Sequence, residues 1–207
     1  TSTGFIDRFT VTARAYGVPV TLVLNKCDDW SEEEAEAAAE LTEIYRNAGY
    51  SVLHVSATEG VGLDKLRAAL VLGNNLLSGH SGVGKSTLIN ALIPGLDLRT
   101  DEVSEAHNKG RHTTTFAEMH PLPDGGFIID TPGVKGFGLV KLGRETLHHH
   151  FPEMFAMLPD CKFHNCLHRS EPGCMVREAV QDGFISVSRY TNYIEMYEQF
   201  EEDSSYR

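Results

Sequence analysis

The sequence predicts an α/β protein whose C-terminal part is mostly helical and built around a cysteine–histidine cluster. Three observations predict this. From residue 4 to about 158, short β-branched apolar runs alternate with helical patterns. A glycine-rich turn at 79–86 separates an apolar run from a helix. Beyond Arg144 no strand pattern recurs, and Cys161, Cys166 and Cys174 stand close together.

The elements follow in order. Residues 18–24 (VPVTLVL) form a continuous apolar run, as expected of a buried parallel strand. Ser31 caps the next helix, Glu34 completes a capping box and Gly49 ends it. A strand is expected over 50–55 and a short helix over 62–70. Leu76 and Leu77 lead into the glycine-rich turn, and the helix over 85–93 stops at Pro94. Residues 116–122 and 127–129 read as two strands joined at Pro123-Asp124-Gly125-Gly126. Short helices then surround the cysteines, and a last helix covers 188–202. No internal repeat or low-complexity linker interrupts the chain. A length of 207 residues suits one domain with an appendage; the expected division is 1–150 and 151–207.

Eighteen Lys and Arg oppose 29 Asp and Glu, for a net charge of −11. Phosphate neutralisation needs cations, so this balance argues against tight RNA binding by the chain alone. The excess lies in two windows: Glu32, Glu33, Glu34, Glu36, Glu40 and Glu43, then Glu195, Glu198, Glu201, Glu202 and Asp203. Both read as solvated helix faces. The remainder is charge-balanced, with His107, Lys109, Arg111 and His112 together on one loop. No apolar run is long enough to span a membrane. The start at Thr1 has no signal-peptide pattern and no Met, as in a fragment. Clustered Cys and His without a secretory signal favour metal over disulfides, and hence a reducing, cytoplasmic setting.

Residues 79–86, GHSGVGKS, fit the P-loop pattern G-x-x-x-x-G-K-[ST]. The glycines let backbone N–H groups face a phosphate chain, and the helix that follows turns its positive end to the same anion. Gly79, Ser81, Gly82, Val83, Gly84, Lys85, Ser86 and Thr87 are the expected nucleotide contacts. Lys85 would bridge the β- and γ-phosphates, and Ser86 would ligate magnesium. Asp130-Thr131-Pro132-Gly133 ends an apolar strand. Asp130 is placed there to hold the magnesium through water, and Gly133 to approach a γ-phosphate. Asn25-Lys26-Cys27-Asp28 follows the strand at 18–24. The Asp28 carboxylate can accept the paired N1–H and 2-amino donors that guanine has and adenine lacks, with Asn25 and Lys26 bracing the loop. Ser56-Ala57, after the strand at 50–55, offers a backbone N–H to the guanine O6.

Phosphate motifs usually precede base motifs. Here 25–28 and 56–57 come before 79–86, which is a circular permutation of the small GTPase fold. That order, with Gly110-Arg111-His112-Thr113-Thr114-Thr115 between the phosphate motifs, resembles the ribosome small-subunit-dependent GTPase A family (RsgA/YjeQ). The resemblance also covers Gly4-Phe5-Ile6-Asp7-Arg8-Phe9, GHSGVGKSTLIN, the cysteine cluster, Arg189-Tyr190 and Asn192-Tyr193. The fold is then a circularly permuted P-loop GTPase domain with a small, mostly helical zinc-binding C-terminal domain.

The cluster reads Cys161-x4-Cys166-x-His168-x5-Cys174. Three thiolates and one imidazole close a tetrahedral structural zinc shell. His164 rivals His168 by position, and the family's spacing matches His168. His148, His149 and His150 read as a solvated helix face. The Gln that many GTPases carry after Asp-x-x-Gly is replaced by Val134, which cannot orient water. The resemblance suggests His112 for catalysis. Thr114 is taken as the magnesium-sensing Thr, with Thr113 and Thr115 as competitors.

The resemblance implies a monomeric, cytoplasmic enzyme that hydrolyses GTP to GDP with Mg2+, holds one Zn2+ per chain, and acts with the small ribosomal subunit and its rRNA. The alternative is a nucleotide-gated ribosome-binding module with negligible turnover. An ATP-dependent kinase is disfavoured by Asn25-Lys26-x-Asp28. The family usually begins with an oligonucleotide-binding barrel, for which there is no room before Asp7, and with a strand just ahead of Gly4.

Overall fold

The computed structural model describes residues 1–70, 73–98, 117–131 and 142–205, the side chains of 201–205 excepted. Gly110, Arg111, His112, Thr113, Thr114, Thr115, Gly133 and Val134 lie outside these residues, as do His107 and Lys109.

The chain forms α1 (Thr3–Ala15), β1 (Thr21–Leu24), α2 (Glu32–Asn47), β2 (Ser51–His54), α3 (Leu63–Ala69), β3 (Asn74–Leu77) and α4 (Lys85–Leu92). β4 (Glu118–Pro121), β5 (Phe127–Asp130), α5 (Pro152–Met157), α6 (Met175–Gln181) and α7 (Val187–Ser205) complete it. Short 3-10 helices occupy Arg144–His150 and Leu158–Asp160.

Two compact units result. One comprises Thr1–Val20, Ala39–Ser51 and Gly136–Arg207; the other comprises Thr21–Ala38 and Val52–Lys135. The second unit holds the strands that carry the nucleotide motifs. β1 pairs with β2, and a separate sheet has the order β3-β5-β4. β3 and β5 are parallel, in a register that sets Leu77 beside Asp130, so both motif-bearing strands end together. β4 runs antiparallel to β5 at the edge, where Pro121 removes no needed donor. Val55, Leu63, Leu66, Leu88, Ile89, Leu92 and Ile128 form the buried core beneath. Against it α4 presents Leu88, Ile89 and Leu92, one face at helical spacing.

The helical unit has its own core, which includes Val11, Leu147, Phe151, Met154, Val176, Ile185, Tyr193, Met196 and Tyr197. The local sequence does not announce α1, because β-branched Ile6, Thr10, Val11 and Thr12 weaken its helical signal. Ser2 caps it by accepting from Phe5 N, and burial of Asp7, Thr10, Val11 and Thr12 holds it. The Ser31–Glu34 capping box forms as expected: Glu34 N donates to Ser31 Oγ at 3.2 Å, and Ser31 N to Glu34 Oε2 at 2.9 Å. Both acidic windows lie on helices, α2 and α7. Among the described residues, no helix is long and apolar enough to cross a membrane.

The His148–His150 run departs from the expected solvated face. It lies on a 3-10 helix, and His148 is only 3% exposed, with its ring edge-to-face on His168 at 5.0 Å. Its neighbours Leu147 and Phe151 belong to the buried core, and that packing carries the polar His148 ring inside with them.

Candidate functional site

β3 ends at Leu77 and the chain turns through Ser78–Gly84 into α4. The turn needs its glycines: Gly82 has φ +83° and Gly84 φ +89°, where a side chain is strained. A Cβ on Gly84 would also stand 2.5 Å from Asn25 Nδ2. That contact identifies what closes the site. Asn25, at the end of β1, donates from Nδ2 to Val83 O at 3.1 Å and ties the base motif to the phosphate loop. Lys26 makes the turn possible by adopting φ +65°, rare for a residue with a side chain.

Lys85 opens α4. Its Nζ donates to Gly79 O at 2.9 Å and to His80 O at 2.8 Å, so the ammonium sits inside the curl of the loop. Burial lowers its pKa, and the carboxylate of Asp130 opposes that shift. Asp130 ends β5 and is 3% exposed. Beside it, Thr131 Oγ1 donates to Leu77 O at 3.0 Å and joins the two strand ends.

Asp28 lies in the turn after Asn25. The Ser56 hydroxyl first, with further hydrogen bonds, lowers its pKa, so it is an anion ready to accept. Thr58 Oγ1 donates to Asp28 Oδ2 at 3.2 Å and lies 3.1 Å from Ser56 Oγ. Sequence reasoning missed Thr58, although it stands only two positions beyond Ser56. Ser56 N donates to Val61 O at 3.0 Å, so that N–H is committed within its own turn. The structure therefore brings Asn25, Val83, Gly84 and Lys85 together, and separately Asp28, Ser56 and Thr58.

In the helical unit, Cys161, Cys166, His168 and Cys174 are all buried, with one ligand atom from each within 4.8 Å of the others. His168 Nδ1 lies 3.7 Å from Cys161 Sγ and 3.4 Å from Cys174 Sγ. A tetrahedron with metal–sulfur bonds of about 2.3 Å has edges of about 3.8 Å, close to these separations. The exposed rival His164 is not in the cluster. Burial pushes the Cys166 thiol up to about 12 and raises Cys174 as well. Burial also lowers His168 to about 4, which leaves a neutral imidazole. With the Cys166 and Cys174 thiols raised beside a neutral imidazole, a bound cation would favour their thiolate forms, and the donor set is one that zinc favours.

The residues beyond the motifs form a second polar assembly in the same unit. Asp7 Oδ1 accepts from Arg189 Nη1 at 2.5 Å and from Tyr45 OH at 2.7 Å, and Oδ2 accepts from Asn192 Nδ2 at 2.6 Å. Arg189 also grips Glu153, Nε to Oε1 at 2.8 Å and Nη2 to Oε2 at 3.0 Å. Of the residues that carry the family resemblance, Asp7, Arg189 and Asn192 form this clamp, while Tyr190 OH donates to His168 O.

A protein-family model described as RsgA GTPase matches residues 1–140. A Bacteroides fragilis protein named small ribosomal subunit biogenesis GTPase RsgA is 53% identical over 98% of this chain. One of that name from Christiangramia forsetii is 49% identical over the whole chain. The chain spans 65% of each of these relatives. Among solved structures, YjeQ from Thermotoga maritima has a TM-score of 0.79 and 36% identity, over 96% of this chain and 66% of that one. YloQ, described as a circularly permuted GTPase, has a TM-score of 0.78 and 29% identity, over 98% and 64% respectively.

Proposed function

Because the chain belongs to the RsgA GTPase family, whose fold is circularly permuted, we propose that it binds GTP and GDP with magnesium and hydrolyses GTP. In this reading it serves the biogenesis of the small ribosomal subunit in the cytoplasm, as a monomer whose affinity for the subunit and its rRNA follows the nucleotide state. The observation that supports this best is the Asn25–Val83 bond at 3.1 Å, which joins the guanine-selecting loop to the phosphate loop.

The residues then take the following roles. Backbone N–H groups of Ser81, Gly82, Val83, Gly84 and Thr87 face the phosphates, and Lys85 moves from the Gly79 and His80 carbonyls to phosphate oxygens of like polarity. Magnesium, when bound, neutralises charge on the β- and γ-phosphates. Ser86 and Thr114 would hold it directly and Asp130 through water, while Gly133 approaches the γ-phosphate. Asp28 accepts the two guanine donors. With Ser56 N–H committed to Val61, the donor to O6 falls to Ala57. His112 is the proposed catalytic group, since Val134 cannot position water. One zinc, on Cys161, Cys166, His168 and Cys174, would be structural.

Val134 also favours a second reading, a nucleotide-gated binding module with negligible turnover of its own. GTP turnover with and without small subunits separates the two. The enzyme reading expects acceleration by subunits, lost in His112→Ala; unchanged slow turnover selects the module. Asp28→Asn is expected to weaken GTP binding by about a hundredfold, the loss of charge-assisted hydrogen bonds. Equal affinity of this variant and the wild type for GTP would remove Asp28 from the base site.

A further inference from the structure

The short loop that carries His168 is held by groups outside the four presumed ligands. Glu171 turns its carboxylate back over it. Oε1 accepts from Leu167 N at 2.8 Å, while Oε2 accepts from Arg169 N at 2.8 Å and from Ser170 N at 3.0 Å. Burial works against the charge on Glu171, yet the backbone donors prevail and its carboxyl is held below the ordinary range.

The loop needs such an anchor. His168 has φ +58°, a left-handed conformation that is unfavourable for a residue with a Cβ. An exposed turn would relax out of it. From the other side, two hydroxyls of α7 take the carbonyls: Tyr193 OH donates to Leu167 O at 2.6 Å and Tyr190 OH to His168 O at 2.7 Å. One carboxylate collects the Leu167, Arg169 and Ser170 N–H groups, the His168 N–H turns to the Cys166 sulfur, and the Leu167 and His168 carbonyls are tied to α7. The imidazole is thereby delivered to Cys161 and Cys174 by a frame that owes nothing to metal bonds.

We propose that Glu171 is a positioning residue for metal binding: its carboxylate fixes the Leu167–Ser170 turn so that His168 Nδ1 meets the three sulfurs. This rests on the reading of the cluster as a zinc site. Partners that orient a ligand without touching the metal commonly govern affinity by 10–100-fold. Gln at 171 has nearly the same shape but carries an NH2 in place of one oxygen. Either orientation sets a donor against a donor, at Leu167 N or at the Arg169 and Ser170 pair. Asp keeps the charge but falls short by one methylene.

The experiment loads zinc into the whole chain and follows its release to a chromogenic chelator, for wild type, Glu171→Gln, Glu171→Asp and Arg189→Met. Arg189→Met destabilises the same helical unit at the Asp7 clamp without touching the loop, and so controls for general loosening. Glu171→Gln is expected to weaken zinc retention by 10–100-fold, Glu171→Asp by less, and Arg189→Met by under threefold. Hydrogen exchange at the Leu167, Arg169 and Ser170 amides should accelerate in Glu171→Gln while exchange in the α7 amides does not. Cobalt in place of zinc should show a shifted thiolate charge-transfer band in the variant. Retention by Glu171→Gln within twofold of wild type overturns the proposal, as does equal loss in Arg189→Met. Should the wild type itself hold no zinc, the metal reading fails and this inference with it. Zinc held equally by wild type and Glu171→Gln defeats this inference alone.

Discussion

Arg189→Met removes a guanidinium that is 1% exposed and leaves two carboxylates without their shared cation. Asp7, fully buried, would keep its bonds from Tyr45 and Asn192 but lose the charge that balances it. Glu153, with 8% side-chain exposure, would lose both of its Arg189 bonds. Breaking a buried ion pair from one side costs about 3–5 kcal/mol, since the orphaned charge keeps its desolvation. Asp7's two remaining donors place this case near the middle, about 4 kcal/mol. With a urea slope of about 2 kcal/mol/M, the midpoint should fall by roughly 2 M. The right probe is tyrosine circular dichroism in the near ultraviolet, because Tyr45, Tyr50, Tyr190, Tyr193 and Tyr197 all belong to the helical unit. Trp30, the single tryptophan, reports the other unit by fluorescence. Arg189→Lys keeps a charge but not the planar fork and should fall between. In a double-mutant cycle with Asp7→Asn, a coupling of about 2 kcal/mol is expected. A midpoint shift below about 0.5 M, or strictly additive single effects, would show that the clamp does not act as one unit.

Two further outcomes follow from local geometry. Gly84→Ala forces a Cβ into φ +89° and to 2.5 Å from Asn25 Nδ2. Binding of a fluorescent GDP analogue should weaken at least tenfold, the equivalent of about 1.4 kcal/mol; unchanged affinity would mean that the Asn25–Val83 link is dispensable. His148 is pushed down to about 4 by burial first, then by its histidine neighbours. Its folded pKa lies below the ordinary 6.5, so the native state binds fewer protons than the unfolded chain. Its contribution is complete above about pH 6.5 and is lost as pH falls towards 4. Comparing urea midpoints at pH 7.5 and 5, His148→Phe should lose less on acidification than wild type, and parallel losses would refute the assignment.

The nucleotide motifs were legible because each is local: backbone turns, glycines and a helix start all lie within a few residues of one another. The Ser31–Glu34 box was legible for the same reason. The Cys/His spacing also identified four buried residues that converge. What stayed hidden depends on distant partners. Nothing near Thr10-Val11-Thr12 announces a helix, because tertiary packing in the helical unit overrides weak propensity. Asp7 meets Arg189 across a separation of 182 residues, which no window on the chain can contain. His148 was misplaced since burial, not polarity, decides its surroundings.

The same separation constrains the birth of the protein. A ribosome adding roughly 5–20 residues per second needs roughly 10–40 seconds between Asp7 and Arg189. Through that interval the first helix has neither its cation nor the Asn192 amide, while the strands and loops of Thr21–Ala38 and Val52–Lys135 have all been made. Of the two units, vectorial synthesis therefore completes the nucleotide-motif unit first, and α1 finds its partners only afterwards. A nascent chain stalled before residue 189 would expose α1 to proteases, whatever the state of the sheet.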